Sequence, residues 1–246
     1  MSRVHLVVPC YRESSRIGSF LPELCDRMQE LGNVDVMVVE DGSGKEEQEK
    51  MSELMNSWRA QYSCLREPLM LDRNLGKGGA VYAGWAQATG ADLLAFVDAD
   101  GASPPREVVR LIELARSTDY AGHALFASRV KMLGRQVRRL LKRHLLGRIY
   151  ATLVSEILNI PVYDSQCGLK IVPTAAFKRI AAALQIKGFA FDVELLVALR
   201  DTGCQIVEVP TDWYEIPGGK VRLIHDSVLM TKDVCKIRSL RGRKWD

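Results

Sequence analysis

The chain has 246 residues, 47% of them apolar, enough for a substantial core in one large domain. Its net charge of +4 is too mild to point to nucleic acid, and the excess is local: 129–148 carries eight basic residues and no acidic one, which leaves the remainder net acidic. No run of eighteen apolar residues occurs, so no segment is expected to span a bilayer, and Val4–Val8, running into Pro9, is too short for a signal-peptide core. Six cysteines without a Cys-x-x-Cys pair or a neighbouring histidine cluster argue against a zinc site and suit reduced, cytosolic thiols.

In chain order, Val4–Val8 reads as a strand and Ile17–Leu31 as a helix with Phe20, Leu24, Met28 and Leu31 on one face. Val34–Val39 is a second strand, ended by the turn Asp41-Gly42-Ser43-Gly44 and followed by a charged helix over Lys45–Arg59. A weaker strand over Leu65–Met70 leads into Arg73-Asn74-Leu75-Gly76-Lys77-Gly78-Gly79 and a helix through Ala88. Leu93–Val97 is the continuous apolar run of a parallel strand covered on both faces. Beyond it Ser103 is expected to cap a helix that begins at Pro104, and Ala124–Ala127 reads as one more strand.

The second half is less regular. The basic stretch 135–158 is predicted helical: over Arg135–Leu146, Val137, Leu140, Leu141 and Leu145 share one face and Arg135, Arg138, Arg139, Lys142 and Arg143 the other. Beyond Gly147 the apolar stripe rotates to Ile149, Leu153 and Ile157, so a break and a second short helix are expected there. Asn159–Asp164 reads as a turn, Gln166–Pro173 as strand-compatible, 174–184 and 192–202 as helices and Ile206–Val209 as a strand. Pro217-Gly218-Gly219 reads as a loop, with a final helix from about Asp226. The βα alternation predicts an α/β fold, a mostly parallel, doubly wound sheet with helices on both faces, in one domain over 1–246.

Chemistry collects at the strand ends, where ligands of parallel sheets gather. Pro9-Cys10-Tyr11-Arg12-Glu13 follows the first strand and Glu40-Asp41-Gly42-Ser43 the second; Asn74 to Gly79 opens a helix, and Asp98 and Asp100 close the strand Leu93–Val97. All four share one sheet edge and so one crevice. Two carboxylates there can hold a hard divalent cation through oxygen, and the cation can bridge a diphosphate. A glycine turn with Lys77 at a helix N-terminus suits phosphate, although Gly76-x-Gly-Gly is neither a P-loop nor a dinucleotide fingerprint. Taken singly, each motif is also what a solvated strand end or a plain turn looks like.

Together, Val7-Val-Pro-Cys-Tyr-Arg-Glu13, Val38-Val-Glu-Asp-Gly-Ser43, Asn74-Leu-Gly-Lys-Gly-Gly79 and Asp98-Ala-Asp100, in that order, resemble the family-2 glycosyltransferases of GT-A fold. Asp164-Ser-Gln-Cys-Gly-Leu-Lys170, Phe189-Ala-Phe-Asp-Val-Glu-Leu-Leu196 and Trp213-Tyr-Glu-Ile-Pro-Gly-Gly-Lys220 resemble the polyprenyl (dolichyl)-phosphate β-glucosyltransferase branch, with the dolichyl-phosphate mannosyltransferases related. The resemblance covers most of the chain. It implies a nucleotide-sugar-binding half over 1–130 and an acceptor half with basic amphipathic helices over 131–246. It places Pro9, Tyr11, Glu13 and Asp41 around base and ribose with Lys77 nearby, Asp98 on ribose or metal, and Asp100 on the metal, Mg²⁺ or Mn²⁺. Glu40 stands where relatives usually have aspartate, and the transmembrane segments of many membrane relatives are absent.

The reaction so implied is an inverting, metal-dependent transfer of a hexose, glucose from UDP-glucose, to a polyprenyl phosphate at the cytoplasmic membrane face. The alternatives are a GDP-mannose donor, a soluble acceptor, or a non-catalytic nucleotide-sugar-binding protein. A hydroxyl acceptor requires a carboxylate to take its proton, and Asp192 is the candidate. A lipid phosphate is already anionic and requires cations, for which Lys170, Lys220 and Arg129 are candidates, with Gln166 also on the acceptor side. Each has a plainer reading: Asp192 as a helix N-cap ahead of Val193, Leu196 and Val197, Lys170 and Lys220 as surface lysines, Gln166 as a turn residue, Cys167 as a small core residue, Trp85 and Trp213 as packing. The basic segment Arg135–Leu146 is expected to dock on an anionic membrane surface, making the protein peripheral and cytoplasmic.

Overall fold

The computed structural model describes residues 1–138, 141–216 and 223–241, with 141–146, 148 and 223–227 described by their backbone alone. Along the chain run Val4–Cys10 (β1), Leu21–Leu31 (α1), Val34–Glu40 (β2), Lys45–Arg59 (α2), Leu69–Met70 (β3), Lys77–Ala86 (α3), Leu93–Val97 (β4), Pro105–Arg116 (α4) and Ala124–Ser128 (β5). Val137–Arg138 (β6), Leu141–Leu158 (α5), Leu169–Pro173 (β7), Thr174–Ile180 (α6), Phe191–Asp201 (α7), Ile206–Pro210 (β8), Trp213–Tyr214 (β9) and Leu223–Leu240 (α8) follow.

The strands β3-β2-β1-β4-β7-β5-β8 form one seven-stranded sheet, and β6 pairs with β9 in a separate two-stranded ribbon. Every pair in the large sheet is parallel except those of β7, which runs antiparallel to both β4 and β5. The mostly parallel, doubly wound sheet is therefore as expected. Alternation along the strands divides the core in two. Leu6, Val8, Ala95, Val97, Leu169 and Ile171 pack under α1, α2 and α4, while Val7, Leu94, Phe96, Phe126 and Val172 pack under α3, α5, α6, α7 and α8.

Local departures have local causes. The first helix starts at Leu21, after a 3₁₀ turn over Ile17–Ser19, because Pro22 lacks the N–H that a helix interior needs. Pro68 likewise leaves Leu65 with only an isolated bridge to Val36 and restricts β3 to Leu69–Met70. The cap expected at Ser103 falls one residue later, with Pro104 at the N-cap and Pro105 in the first turn of α4.

The stretch 135–158 is not the broken pair of helices expected. Val137–Arg138 is a strand paired with Trp213–Tyr214, and α5 runs unbroken through Gly147. A helical glycine costs about 1 kcal/mol relative to alanine. Burial of Tyr150, Val154 and Leu158 in the core that α8 completes outweighs it. The expected amphipathic helix over Arg135–Leu146 is accordingly corrected: Arg135 pairs with Glu107 at 3.3 Å and the Arg138 guanidinium lies 5.7 Å above the Tyr214 ring. Arg139 and Leu140 lie outside the described residues. Among the described residues no helix is long and apolar enough to cross a membrane.

Candidate active site

Register brings the first two motifs to one level. Cys10 is paired with Glu40, and the Asp41 N–H donates to the Cys10 carbonyl at 2.8 Å. Asp41 then accepts the backbone N–H groups of Leu75 (2.7 Å) and Gly76 (2.9 Å), tying the end of β2 to the turn that opens α3. Burial pushes its carboxyl up to about 6, against the pull of those two N–H groups. Glu40 is fully buried and accepts the Ser43 N–H at 3.0 Å, while the Ser43 hydroxyl accepts the Arg12 N–H at 2.8 Å. Glu13 faces Arg16 at 3.6 Å, and the Arg12 guanidinium lies 5.2 Å above the Tyr11 ring. Pro9, Tyr11, Glu13 and Asp41 thus lie together at the carboxyl ends of β1 and β2.

The glycine turn serves helix packing. A Cβ on Gly78 would fall 2.3 Å from that of Phe191, so only glycine lets the first turn of α3 meet the start of α7. That approach places Lys77 over the rings of Phe96 (5.4 Å) and Phe191 (5.9 Å) and sets its ammonium 2.7 Å from Asp98. Burial works against this charge, but Asp98 and then Asp192 outweigh it and hold the Lys77 pKa above its ordinary value.

Asp98 emerges where β4 ends, its N–H donating to the Gly168 carbonyl at 2.8 Å. Asp100 accepts the Ala102 N–H at 3.0 Å, and burial, followed by the charge of Asp98, raises its proton affinity. Among the described residues no three His, Cys, Asp or Glu side chains converge as a metal cage. The residues present nevertheless fit a divalent cation. Two oxygen donors suit a hard ion that keeps water and phosphate oxygens as its other ligands, and the raised proton affinity of Asp100 marks a carboxylate short of positive charge.

On the other side of β7 the Arg129 guanidinium makes a two-pronged pair with Asp164, Nε at 2.6 Å and Nη2 at 2.7 Å, while its own N–H also donates to Asp164. Burial opposes that charge, and Asp164 more than offsets it, so the Arg129 pKa is raised. The Trp213 ring faces this pair, its centre 5.5 Å from the guanidinium carbon. Glu208 holds Asp164 from behind by accepting the N–H groups of Tyr163 and Asp164, both at 2.8 Å. The Gln166 side-chain amide reaches the Phe189 carbonyl at 3.4 Å.

Two of the plainer readings do not hold. Lys170 is no surface lysine: it is 0% exposed, its ammonium 2.7 Å from Asp192 and donating to the Cys167 carbonyl at 2.7 Å. Asp192 is no N-cap, since Ala190 holds that position and Asp192 lies inside the first turn of α7. Cys167 is the buried core residue expected, its thiol pushed up to about 11 by burial. Lys220, with Pro217-Gly218-Gly219, lies outside the described residues. Sequence reasoning missed the supporting residues Glu208 and Gly168. Gly168 stood inside a motif already singled out, whereas Glu208 on a late strand gave no local signal.

Residues 5–180 match the family described as glycosyl transferase family 2. The chain is 30% identical over 246 residues to a dolichyl-phosphate beta-glucosyltransferase of Saccharomyces cerevisiae, covering 95% of this chain and 73% of that one. To the protein of the same name from Mus musculus it is 30% identical over 247 residues, covering 96% and 75%. A solved structure of glucosyl-3-phosphoglycerate synthase from Mycobacterium tuberculosis with Mn²⁺, UDP-glucose and phosphoglyceric acid superposes with a TM-score of 0.67 at 14% identity, over 98% of this chain and 82% of that one. A mannosyltransferase from Pyrobaculum calidifontis with GDP-Man and Mn²⁺ gives 0.59 at 15% identity, over 97% and 73%. These superpositions show the GT-A fold. The chain belongs to glycosyl transferase family 2.

Proposed function

We propose that this enzyme moves glucose from UDP-glucose to a polyprenyl phosphate of the dolichyl kind, with inversion at the sugar. The substrate pair is supported by similarity to dolichyl-phosphate beta-glucosyltransferases over nearly the whole chain. The observation that carries the reading in the site itself is that β7 joins two charged groups at one sheet edge: Asp98 against Gly168 on one side, and Arg129 on Asp164 on the other.

In this reading Asp98 and Asp100 would hold Mg²⁺ or Mn²⁺, which would supply positive charge to the departing diphosphate. Pro9, Tyr11, Glu13 and Asp41 line the nucleotide. Lys77, paired with Asp98 at 2.7 Å, would turn to a donor phosphate oxygen when the donor binds. Arg129 and Lys220 hold the acceptor phosphate, with Gln166 beside them. A phosphate monoester has its second pKa near 6, so part of the acceptor arrives carrying a proton, and Asp192 receives it.

The acceptor's lipid tail requires approach to a bilayer. The turn after β5 carries Leu133 at 99% exposure and Met132 at 51%, next to Lys131, and Ile149, Leu153, Val228 and Leu229 are exposed on α5 and α8. Such apolar tips beside basic residues suit an anionic leaflet, with the enzyme peripheral on the cytoplasmic face. Radiolabelled UDP-glucose, Mn²⁺ and dolichyl phosphate in anionic liposomes should give label that partitions into organic solvent. Label transferred only from GDP-mannose would overturn the donor, and release of free glucose without lipid product would overturn the acceptor.

A further inference from the structure

Lys170 occupies an unusual place for a cation. It is the second residue of β7, in the middle of the sheet, and the antiparallel register sets it directly opposite Phe96 of β4 and Phe126 of β5. Leu169 and Ile171 point to the other core, so Lys170 is the only charged side chain that β7 sends beneath α7. Its Nζ lies 5.3 Å from the centre of the Phe96 ring and 5.0 Å from that of Phe126. These faces favour a cation without competing for its protons. One proton goes to the Cys167 carbonyl, and the ammonium meets Asp192 at 2.7 Å, the two side chains being 0% and 2% exposed.

We propose that Lys170 is a positioning residue: it fixes the Asp192 carboxylate, charged and in one orientation, beneath the sugar-transfer site. This rests on the reading above in which Asp192 takes the acceptor's proton. A carboxylate this deeply buried takes up a proton of its own unless a cation sits on it. The charged and titratable groups facing Asp192 are Lys170 from β7, Lys77 from the start of α3, Asp98 from the end of β4, Tyr82 from α3 and Tyr150 from α5. Lys77 pairs with Asp98 at 2.7 Å and acts on Asp192 less than Lys170 does, and both tyrosine hydroxyls are held in their protonated form by burial. Burial raises the proton affinity of Asp192, and Lys170 is the largest influence opposing it. An arrangement serving packing alone would be met more simply by a leucine at 170, as buried ion pairs contribute little net stability over apolar residues of similar size.

The test compares Lys170→Met, Lys170→Arg, Asp192→Asn and the double variant Lys170→Met/Asp192→Asn. Lys170→Met should lower kcat/KM for the lipid acceptor chiefly at and below about pH 6, where the acceptor phosphate carries its second proton, and the loss should fade as the pH rises and the phosphate ionises by itself. Independently of turnover, infrared difference spectra of Lys170→Met against the double variant should show the C=O stretch of a protonated carboxyl at neutral pH. That band is absent when wild type is compared with Asp192→Asn. Should Lys170→Met fold poorly, Lys170→Arg keeps the charge and should keep the wild-type profile. An unchanged profile together with no protonated carboxyl band in Lys170→Met overturns the proposal. Full activity of Asp192→Asn at and below about pH 6 overturns the proton-acceptor reading instead, and the infrared band still decides whether Lys170 holds Asp192 charged.

Discussion

Gly168 lies against the Asp98 carboxylate with no room for one further carbon: a Cβ there would fall 1.9 Å from Oδ2. The pairing of Val97 with Leu169 makes Asp98 and Gly168 the next step of the same antiparallel ladder, and the Asp98 N–H donates to the Gly168 carbonyl. The reversed strand thereby passes the acidic loop at van der Waals range and supplies, within a few residues, Gln166, Gly168 and Lys170.

Gly168→Ala should therefore displace Asp98 or the β7 backbone, at a cost of about 1–3 kcal/mol, typical of overpacking. We expect UDP affinity in the presence of Mn²⁺ to fall by an order of magnitude, because both Asp98 oxygens lie within 3 Å of the new carbon. Titration calorimetry of UDP with and without Mn²⁺ measures this. An unchanged Mn²⁺-dependent increment in UDP binding would show that Asp98 does not touch the metal.

Asp100→Asn should abolish metal-dependent turnover with the fold retained, since a neutral amide is a much poorer ligand for a hard cation. Circular dichroism should match wild type, and Mn²⁺ should no longer raise the melting temperature of the UDP complex. Full activity at limiting Mn²⁺ is the outcome that removes Asp100 from the metal site.

Asp41 gives a pH prediction whose sign is fixed by the direction of its shift. Its carboxyl is raised to about 6 in the fold against roughly 3.9 in an unfolded chain, so the native state binds the extra proton between those values. The stability this group contributes is complete below about pH 4 and is lost as pH rises through about 6. About two pH units at 1.36 kcal/mol each put an upper bound near 3 kcal/mol on the change. Unfolding free energies of ligand-free wild type and Asp41→Asn, measured by denaturant at pH 4 and pH 7, should differ in that sense, with wild type losing ground as pH rises. A difference between the two proteins that is the same at both pH values removes the shift.

The convergence of Asp41 and Asp98 at one sheet edge was legible in the sequence because it depends on local pattern. Apolar strands end in Asp41 and in Asp98, and a parallel sheet puts such ends on one edge whatever the details of packing. Lys170 was not legible. In Cys-Gly-Leu-Lys-Ile-Val the lysine alternates with apolar residues as it would on a half-exposed strand, and only the register with Phe96 and Phe126 shows both faces covered. The ribbon β6–β9 escaped for a different reason. Two-residue strands have no periodicity to read, so Val137 and Arg138 were absorbed into a helical pattern that the leucines beyond them support. The orientation of Arg129 depended on that ribbon, because it delivers Trp213.

Arg129 is held by the Asp164 fork on one edge, with the Trp213 ring facing its guanidinium. A planar guanidinium is needed for both contacts at once, and a lysine offers neither the fork nor the planar face. Arg129→Lys should raise the acceptor KM at least about tenfold while leaving the KM for UDP-glucose within twofold, the pattern of a group that meets the acceptor and not the donor. Trp213→Leu should give a smaller rise of the same kind, since it removes the ring but keeps the Asp164 pair. Asp164→Asn separates charge from position: it leaves Arg129 uncompensated, so if the Asp164 charge merely attenuates the arginine, phosphate affinity should increase. Loss of affinity in Asp164→Asn instead means that the fork's geometry outweighs its neutralising charge. Steady-state kinetics with a short-chain polyprenyl phosphate, varying one substrate at a time, resolves all three. Equal rises in both KM values for Arg129→Lys would remove Arg129 from the acceptor side.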